Sequence, residues 1–278
     1  MKRRVFLISA LALAVPARAT PVHLWQGHGL GGALSLRLEG SATEIALLAP
    51  RLQAEIDRVE AVASLHRESE LVRLNRTGRI AWPSADLLEL LDLSDRVHRA
   101  TLGAFDPTVQ PLWQALATGA DTATARRAIG WERVRFDTQE VRLDRDQALT
   151  LNGIAQGWAA DRIAALLQAK GYKALIDMGE FRALGGPWPV TAEGPGLSVP
   201  KMLRQTALAV SSPMGTRIGP GLPHILGPQG QSPLWQTVAV TAPQAALADA
   251  LSTAFCLMPR PAIAAALQDF PGTDAQFA

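Results

Sequence analysis

The chain has 278 residues with 27 basic and 25 acidic side chains, a formal net charge of +2. Residues 1–19 hold Lys2, Arg3, Arg4 and Arg18 and no acid, so the rest carries 23 basic against 25 acidic residues, net −2, which removes the electrostatic case for nucleic acid or an anionic membrane as partner. One cysteine, Cys256, excludes an intramolecular disulfide, and five scattered histidines with no CxxC leave a Cys/His zinc site without support.

The segment 1–19, MKRRVFLISALALAVPARA, reads as an export signal. It has a basic start, an apolar run from Val5 to Val15, and Ala17-Arg18-Ala19 as a cleavage site. Arg3-Arg4 before Val5-Phe6-Leu7 looks like a twin-arginine signal, with a plain Sec signal as the alternative. The apolar run is too short for a stable membrane anchor. The expected mature protein is periplasmic and begins near Thr20; residues 20–278 suffice for one large domain or two small ones, and one is expected because no long linker divides them.

GALSLRLEG (32–40) alternates as an early strand. A helix follows with Ile45, Leu48, Leu52, Ile56 and Val59 on one stripe; Pro50 interrupts it, which predicts that the main helix starts there. SELVRLNRTG (69–78) reads as a short helix and turn. SADLLELLDLSDRVHRATLG (84–103) reads as a helix capped by Ser84 and stopped by Gly103. VRLD and ALTLN alternate around Arg145-Asp146 and predict a hairpin. IAQGWAADRIAALLQAKG (154–171) is an amphipathic helix ending at Gly171, and KALIDMG, TALAVSS and WQTVAVT read as strands. The Gly/Pro-rich LGGPWPVTAEGPGLSVP (184–200) is expected as a loop. TAPQ (241–244) is a capping-box pattern, with Thr241 as N-cap, Gln244 at N3 and Pro243 in the first turn; Pro259 stops the helix it opens. There is no strict βαβ rhythm, GxGxxG or Walker pattern, so the expected fold class is α+β, with mixed, largely antiparallel sheets and packed helices.

That last helix carries ADALSTAF (248–255), in which Asp249, Ser252 and Thr253 fall on one face at i, i+3 and i+4. Three hard oxygens so placed suit Mg²⁺; alternatively the hydroxyls bond back to the preceding turn and Asp249 faces water. Cys256 beside them reads as a buried small hydrophobe. Four other polar stretches interrupt apolar elements. Gly103-Ala104-Phe105-Asp106-Pro107-Thr108 is an extended turn, in which Asp106 is a site residue or a turn cap. TLNGIAQGWAAD (150–161) brings a strand through glycine into a helix, where free backbone groups can meet a phosphate or cation, or where Gly153 and Gly157 serve turn geometry and close packing. IDMGEFRALGG (176–186) offers a close backbone approach at Gly179, or an ordinary turn with Glu180 and Arg182 as exposed charges. LPHILGPQGQSP (222–233) holds His224, a general base or a satisfied structural histidine.

In this order the stretches SLHRESELVRLN, GAFDPTVQPLW, LNGIAQGWAADRIAALL, LIDMGEFRALG, PHILGP and VAVTAPQAALADALSTAF resemble the FAD:protein FMN transferases, the ApbE family, from about Gly29 to Met258. LNGIAQG and GEFRALG look like the NosX-like branch linked to nitrous oxide respiration. The resemblance implies a single ApbE-like (T-fold-like) catalytic domain over 20–278. Its implied reaction is attack of an acceptor threonine hydroxyl on the flavin-side phosphorus of FAD, releasing AMP. It implies Mg²⁺ as cofactor, FAD as substrate, and as partner a flavoprotein of a respiratory or electron-transfer system facing the periplasm. Asp249 and Thr253 then match metal ligands, Ser252 a position that also serves the metal, and Gly153 a backbone ligand. Leu30, His66, Ala104, Phe105 and Asp106 match positions around the flavin; Thr150, Gln156 and Leu226 match other FAD contacts; His224 matches the base for the acceptor threonine. The chain departs from the family pattern at Thr150 (usually acidic), at Gln156 (usually lysine), by one glycine before Glu180, and at Gly227 and Gln229, where aspartate and arginine are usual. The rival readings are an FAD pyrophosphatase, with water as nucleophile, a non-catalytic periplasmic flavin-binding or carrier protein, and an exported assembly factor that acts without flavin.

Overall fold

The computed structural model describes residues 20–278; the signal expected at 1–19 lies outside the described residues. Strands β1 (Val22–Gly29) and β2 (Gly32–Glu39) form a tight hairpin through Leu30 and Gly31, both at positive φ (51° and 79°), as a two-residue primed turn requires. Helix α1 (Ala42–Ala63) opens with a capping box between Ser41 and Glu44 and buries Leu48, Leu52, Ile56 and Val59. It runs unbroken through Pro50, contrary to the expected start there. Pro50 lies on the exposed face, where the Ala46 carbonyl it leaves unpaired meets water.

Helix α2 (Glu70–Thr77) is capped by Ser69 and closed by Gly78 at φ 69°. Strand β3 (Arg79–Ala81) leads to helix α3 (Ala85–Ala100), capped by Ser84 as expected. Helices α4 (Gln110–Thr118) and α5 (Thr122–Ala128) precede β4 (Arg135–Phe136) and β5 (Glu140–Arg142). The hairpin expected around Arg145-Asp146 is not formed: β5 pairs with β3 and β4, and residues 148–152 are not a strand. The Asn75 side-chain amide takes the partner's place, donating to the Leu149 carbonyl (2.8 Å) and accepting from its N–H (2.7 Å).

Helix α6 (Ala155–Gln168) is followed by β6 (Lys173–Asp177) and β7 (Phe181–Leu184). The stretch expected as a loop is instead a ribbon, β8 (Trp188–Gly194) and β9 (Leu197–Leu203). Trp188, Val190 and Ala192 alternate into a core with Leu175, Ala183 and Leu208, while Pro189 and Pro200 point outward on a two-stranded ribbon that tolerates their missing donors. Strands β10 (Ala207–Ser211), β11 (Arg217–Ile218), β12 (Leu222–Pro223) and β13 (Val238–Ala242), helices α7 (Ala245–Phe255) and α8 (Arg260–Ala266), and β14 (Asp274–Phe277) complete the chain.

The main sheet has seven strands in the order β1-β2-β6-β7-β10-β13-β14, all pairs antiparallel. Leu34, Leu36 and Leu38 share one core with Ile56, Ile163 and Leu251 of α1, α6 and α7, and the β8–β9 ribbon packs on the residues of the opposite parity, such as Leu175 and Leu208. The α+β expectation therefore holds. Among the described residues no helix is long and apolar enough to cross a membrane. The expected cap of α7 does not hold: Thr241 is extended in β13, Pro243 lies in the connection, and the N-cap is Gln244, which makes no side-chain cap bond. The sheet ladder holds Thr241 too far back to cap. Helix α7 ends at Phe255, and Pro259 is the N-cap of α8.

Candidate active site

Helices α6 and α7 meet without the spacing that side chains usually impose. A Cβ on Gly157 would lie 2.2 Å from the Ala245 carbonyl oxygen and 2.7 Å from Ala246 Cα, so glycine is required by close packing. The Gly157 N–H, in the first turn of α6 and without an intrahelical partner, donates to Asp249 Oδ2 at 3.1 Å. Asp249 Oδ1 accepts nothing from the described residues. Thr253, one turn on, faces Gly153, whose Cβ would lie 3.0 Å from Thr253 Oγ1. Ser252 is used differently from its neighbours on that face. Its Oγ donates to the Asp249 carbonyl (2.9 Å) and shares a hydrogen bond with Ser211 Oγ (2.8 Å), so it bonds back into the helix and braces Ser211. Ser211 Oγ in turn lies 3.5 Å from Thr253 Oγ1. Cys256 is buried, and burial pushes its thiol up to about 12.

Glu180 and Arg182 are not the exposed charges that an ordinary turn would give. Gly179, at φ 101°, turns the chain so that Glu180 is buried and accepts from Val210 N–H at 3.2 Å. Burial first, then the neighbouring Asp249 and Asp177, push the Glu180 carboxyl well above the usual range. Burial pushes Asp249 up to about 7 against the pull of the Gly157 N–H. Two buried carboxylates this close cannot both ionise cheaply unless a cation joins them. Asp249, the Thr253 hydroxyl and the backbone oxygen of Gly153 are hard donors that fit Mg²⁺. Among the described residues no three His, Cys, Asp or Glu side chains converge, so such a cation draws on hydroxyl and backbone oxygen.

The other expected contacts gather around this pole. Gln156 reaches the Leu30 carbonyl (3.5 Å) and fills the space beside Gly179, where a Cβ would lie 2.6 Å from its amide nitrogen. Leu30 N–H donates to Glu60 (2.9 Å), and Glu60 also pairs with Arg67, the neighbour of exposed His66. Glu60 thus holds Leu30 at its positive φ and ties the 66–67 loop beside it. Ala104, Phe105 and Asp106 are buried. Asp106 accepts from the Thr108 N–H (2.8 Å) and hydroxyl (2.6 Å), and His98 Nδ1 bonds the Phe105 carbonyl (2.9 Å). Burial raises Asp106 above the usual carboxylate range against the pull of Thr108 and His98. Thr150 N–H donates to the Pro107 carbonyl (2.9 Å), linking this segment to the Gly153 turn. A groove of about 620 Å³ lined by Arg79, Gln114, Arg142 and Gln147 contains none of these residues.

His224 is anchored by its backbone N–H and its ring to Pro213: Nδ1 lies 2.9 Å from the Pro213 carbonyl and 3.1 Å from that of Thr216. Carbonyls only accept, so Nδ1 carries a proton, and in the neutral ring the lone pair is then on Nε2. Pro213 is two residues from Ser211, which puts His224 and the Thr253 face on one connected segment. Leu226 packs with Leu112 and Ala115 of α4. At Gly227 a Cβ would lie 2.1 Å from the Gln231 carbonyl oxygen, so the loop as folded has no room for the family's aspartate. No sequence signal singles out Glu180 and Ser211 as residues of the site, or Asp161, Arg182, His98 and Glu60 as the side chains that support it. Gly157 and Asp161 share helical spacing with Gly153, which places them on one face without assigning a role; Glu180 and Ser211 meet α7 only through the sheet.

Fold and site together define an α+β protein whose antiparallel sheet and paired helices converge on a cluster of oxygen donors at Asp249, Thr253 and the Gly153 turn. The chain belongs to the ApbE family, whose profile matches residues 30–277. It is 27% identical to the FAD:protein FMN transferase of Haemophilus influenzae over 88% of this chain and 83% of that one. It is 24% identical to the FAD:protein FMN transferase of Escherichia coli K12, over 86% and 79%. The fold is that of the Pseudomonas stutzeri flavinyl transferase ApbE, apo form (TM-score 0.80, 24% identity, 92% and 90% covered). The apbe protein of Thermotoga maritima gives a TM-score of 0.81 at 22% identity, with 92% and 94% covered.

Proposed function

We propose that this protein is an exported FAD:protein FMN transferase. It transfers FMN from FAD to a threonine hydroxyl of a periplasm-facing electron-transfer flavoprotein, with release of AMP. The observation that carries the reading is the Asp249 carboxylate, held by the Gly157 N–H through one oxygen with the other unengaged, beside Thr253 and the Gly153 turn. Asp249, Thr253 and the Gly153 carbonyl would hold Mg²⁺, which when bound neutralises charge building on the pyrophosphate oxygens. Leu30, His66 and the Ala104–Asp106 segment line the flavin end, and Thr150, Gln156 and Leu226 contact the rest of FAD. His224 Nε2 takes the threonine proton as the new O–P bond forms at the flavin-side phosphorus, and the bond from that phosphorus to the bridging oxygen breaks with AMP as leaving group. The Arg3-Arg4 signal delivers the chain to the compartment of its acceptor.

The test incubates the mature chain with FAD and Mg²⁺, with and without an FMN-binding-domain acceptor, and reads flavin fluorescence of the acceptor in a denaturing gel together with AMP. Fluorescence that survives denaturation, with AMP formed only when acceptor is present, is the expected result. AMP and free FMN without acceptor identify a pyrophosphatase instead. FAD binding with no AMP under either condition identifies a flavin carrier, and no interaction with FAD an assembly factor.

A further inference from the structure

Helices α6 and α7 run antiparallel in contact, joined by three rungs spaced four residues apart on each: Gly153 against Thr253, Gly157 to Asp249, and Asp161 to Ala245. Neither helix caps itself. Ile154 and Gln244, at the two N-caps, make no side-chain cap bond, and Gly157, Ala245 and Ala246, whose amides lie in the two first turns, are buried. Each helix is capped by an aspartate of the other. Asp249 of α7 accepts from Gly157 of α6. Asp161 of α6 accepts from Ala245 (Oδ1, 3.0 Å) and Ala246 (Oδ2, 2.9 Å) of α7. Arg182 of β7 braces Asp161 Oδ1 through Nε at 3.2 Å and donates through Nη1 to the Ala183 carbonyl at 2.8 Å. A one-residue slip of α7 would turn its face by about 100° and carry Asp249 away from Gly157.

We propose that Asp161, braced by Arg182, is the positioning residue that holds α7 in the register at which Asp249 and Thr253 meet the Gly153 turn, and that it thereby sets metal affinity. The inference rests on the metal reading above. Asp161 is not itself among the candidate ligands; it acts through the helix that carries them. A second buried carboxylate offers the contrast: Asp86 of α3 pairs with Arg58 and Arg162 and ties α1, α3 and α6 together, with no hydrogen bond or ion pair to α7 among the described residues.

The test is Mg²⁺ titration of the whole mature chain by calorimetry, alongside thermal unfolding in EDTA, for Asp161→Asn, Arg182→Gln and Asp86→Asn. An asparagine at 161 keeps the shape but offers one acceptor where two amides need one each. Asp161→Asn is expected to weaken Mg²⁺ binding by about 10-fold or more, with Arg182→Gln shifting the same way. In the transfer assay the Mg²⁺ requirement of Asp161→Asn moves to higher concentration while the rate at saturating Mg²⁺ is retained. Asp86→Asn lowers the unfolding temperature and leaves Mg²⁺ affinity within about twofold. If Asp161→Asn lowers the unfolding temperature but keeps wild-type Mg²⁺ affinity, or if Asp86→Asn weakens Mg²⁺ as much, the positioning role is overturned while the metal reading stands. If the unmodified chain binds no Mg²⁺, the metal reading falls and takes this role with it.

Discussion

Replacing Gly157 by alanine tests the closest contact in the candidate site. Alanine should favour the helix by about 1 kcal/mol at an interior position. The packing opposes it: the new Cβ would lie 2.2 Å from the Ala245 carbonyl oxygen and 2.5 Å from its carbon, both backbone atoms that no rotamer change can move. Clearing 3.0 Å requires α7 to retreat from α6 by about 0.8 Å, and overpacking of this kind costs about 1–3 kcal/mol. The same retreat stretches the Gly157–Asp249 bond beyond its present 3.1 Å, and a hydrogen bond to a charged group contributes about 1.5–3 kcal/mol. The opposing effects leave a net loss of about 1.5–5 kcal/mol. Urea unfolding in EDTA measures it, and Mg²⁺ titration of the same variant should show weakened binding. A variant as stable as the wild type, or more stable, with unchanged Mg²⁺ affinity would refute the reasoning.

His224→Ala should lower transfer to acceptor by about 10²–10⁴-fold while FAD binding, followed by quenching of flavin fluorescence, stays unchanged; full activity would remove His224 as the base. Asp249 gives a pH dependence. Its folded value of about 7 lies above the ordinary 3.8, so the fold favours the protonated form and this stability is fully present below about pH 4 and lost as pH rises through 7. Glu180, raised in the same direction, adds to it. Stability in EDTA should therefore fall across that window, Asp249→Asn should flatten the fall, and Mg²⁺ should abolish it; metal-free stability that climbs toward pH 8 would contradict the assignment. Cys256, buried and pushed up to about 12, should resist a disulfide reagent at pH 8 until urea unfolds the chain; rapid labelling of the folded protein would show that the end of α7 is open.

Local signals were sufficient where the physics is local. Ser69 and Ser84 cap their helices because a hydroxyl reaches an amide three residues on, and Gly78 and Gly171 end theirs at positive φ. Alternation marked β2, which buries every second residue, and KALIDMG, TALAVSS and WQTVAVT read as strands where β6, β10 and β13 run through the buried centre of the sheet. The motif order carried the family, the lack of a strict βαβ rhythm carried the α+β class, and helical spacing alone placed Asp249 and Thr253 on one face. Other features depended on residues far along the chain. The ribbon at 188–203 looks like a loop in composition, and becomes two strands because Trp188, Val190 and Ala192 have a sheet to cover. Leu149 is not in a strand because Asn75, 74 residues away, occupies its backbone groups. The sequence TAPQ has the letters of a capping box, but the ladder between β10 and β13 keeps Thr241 extended, and Asp161 caps α7 from across the interface. Ser252 carries the same kind of oxygen as Thr253, yet it turns to Ser211 and the Asp249 carbonyl. The sequence by itself determined which oxygens the protein owns and their order on each helix, since a 3.6-residue period needs nothing beyond the helix. Only the tertiary structure decided which of those oxygens remain unengaged, because that depends on which buried amides and hydroxyls of other elements claim them first.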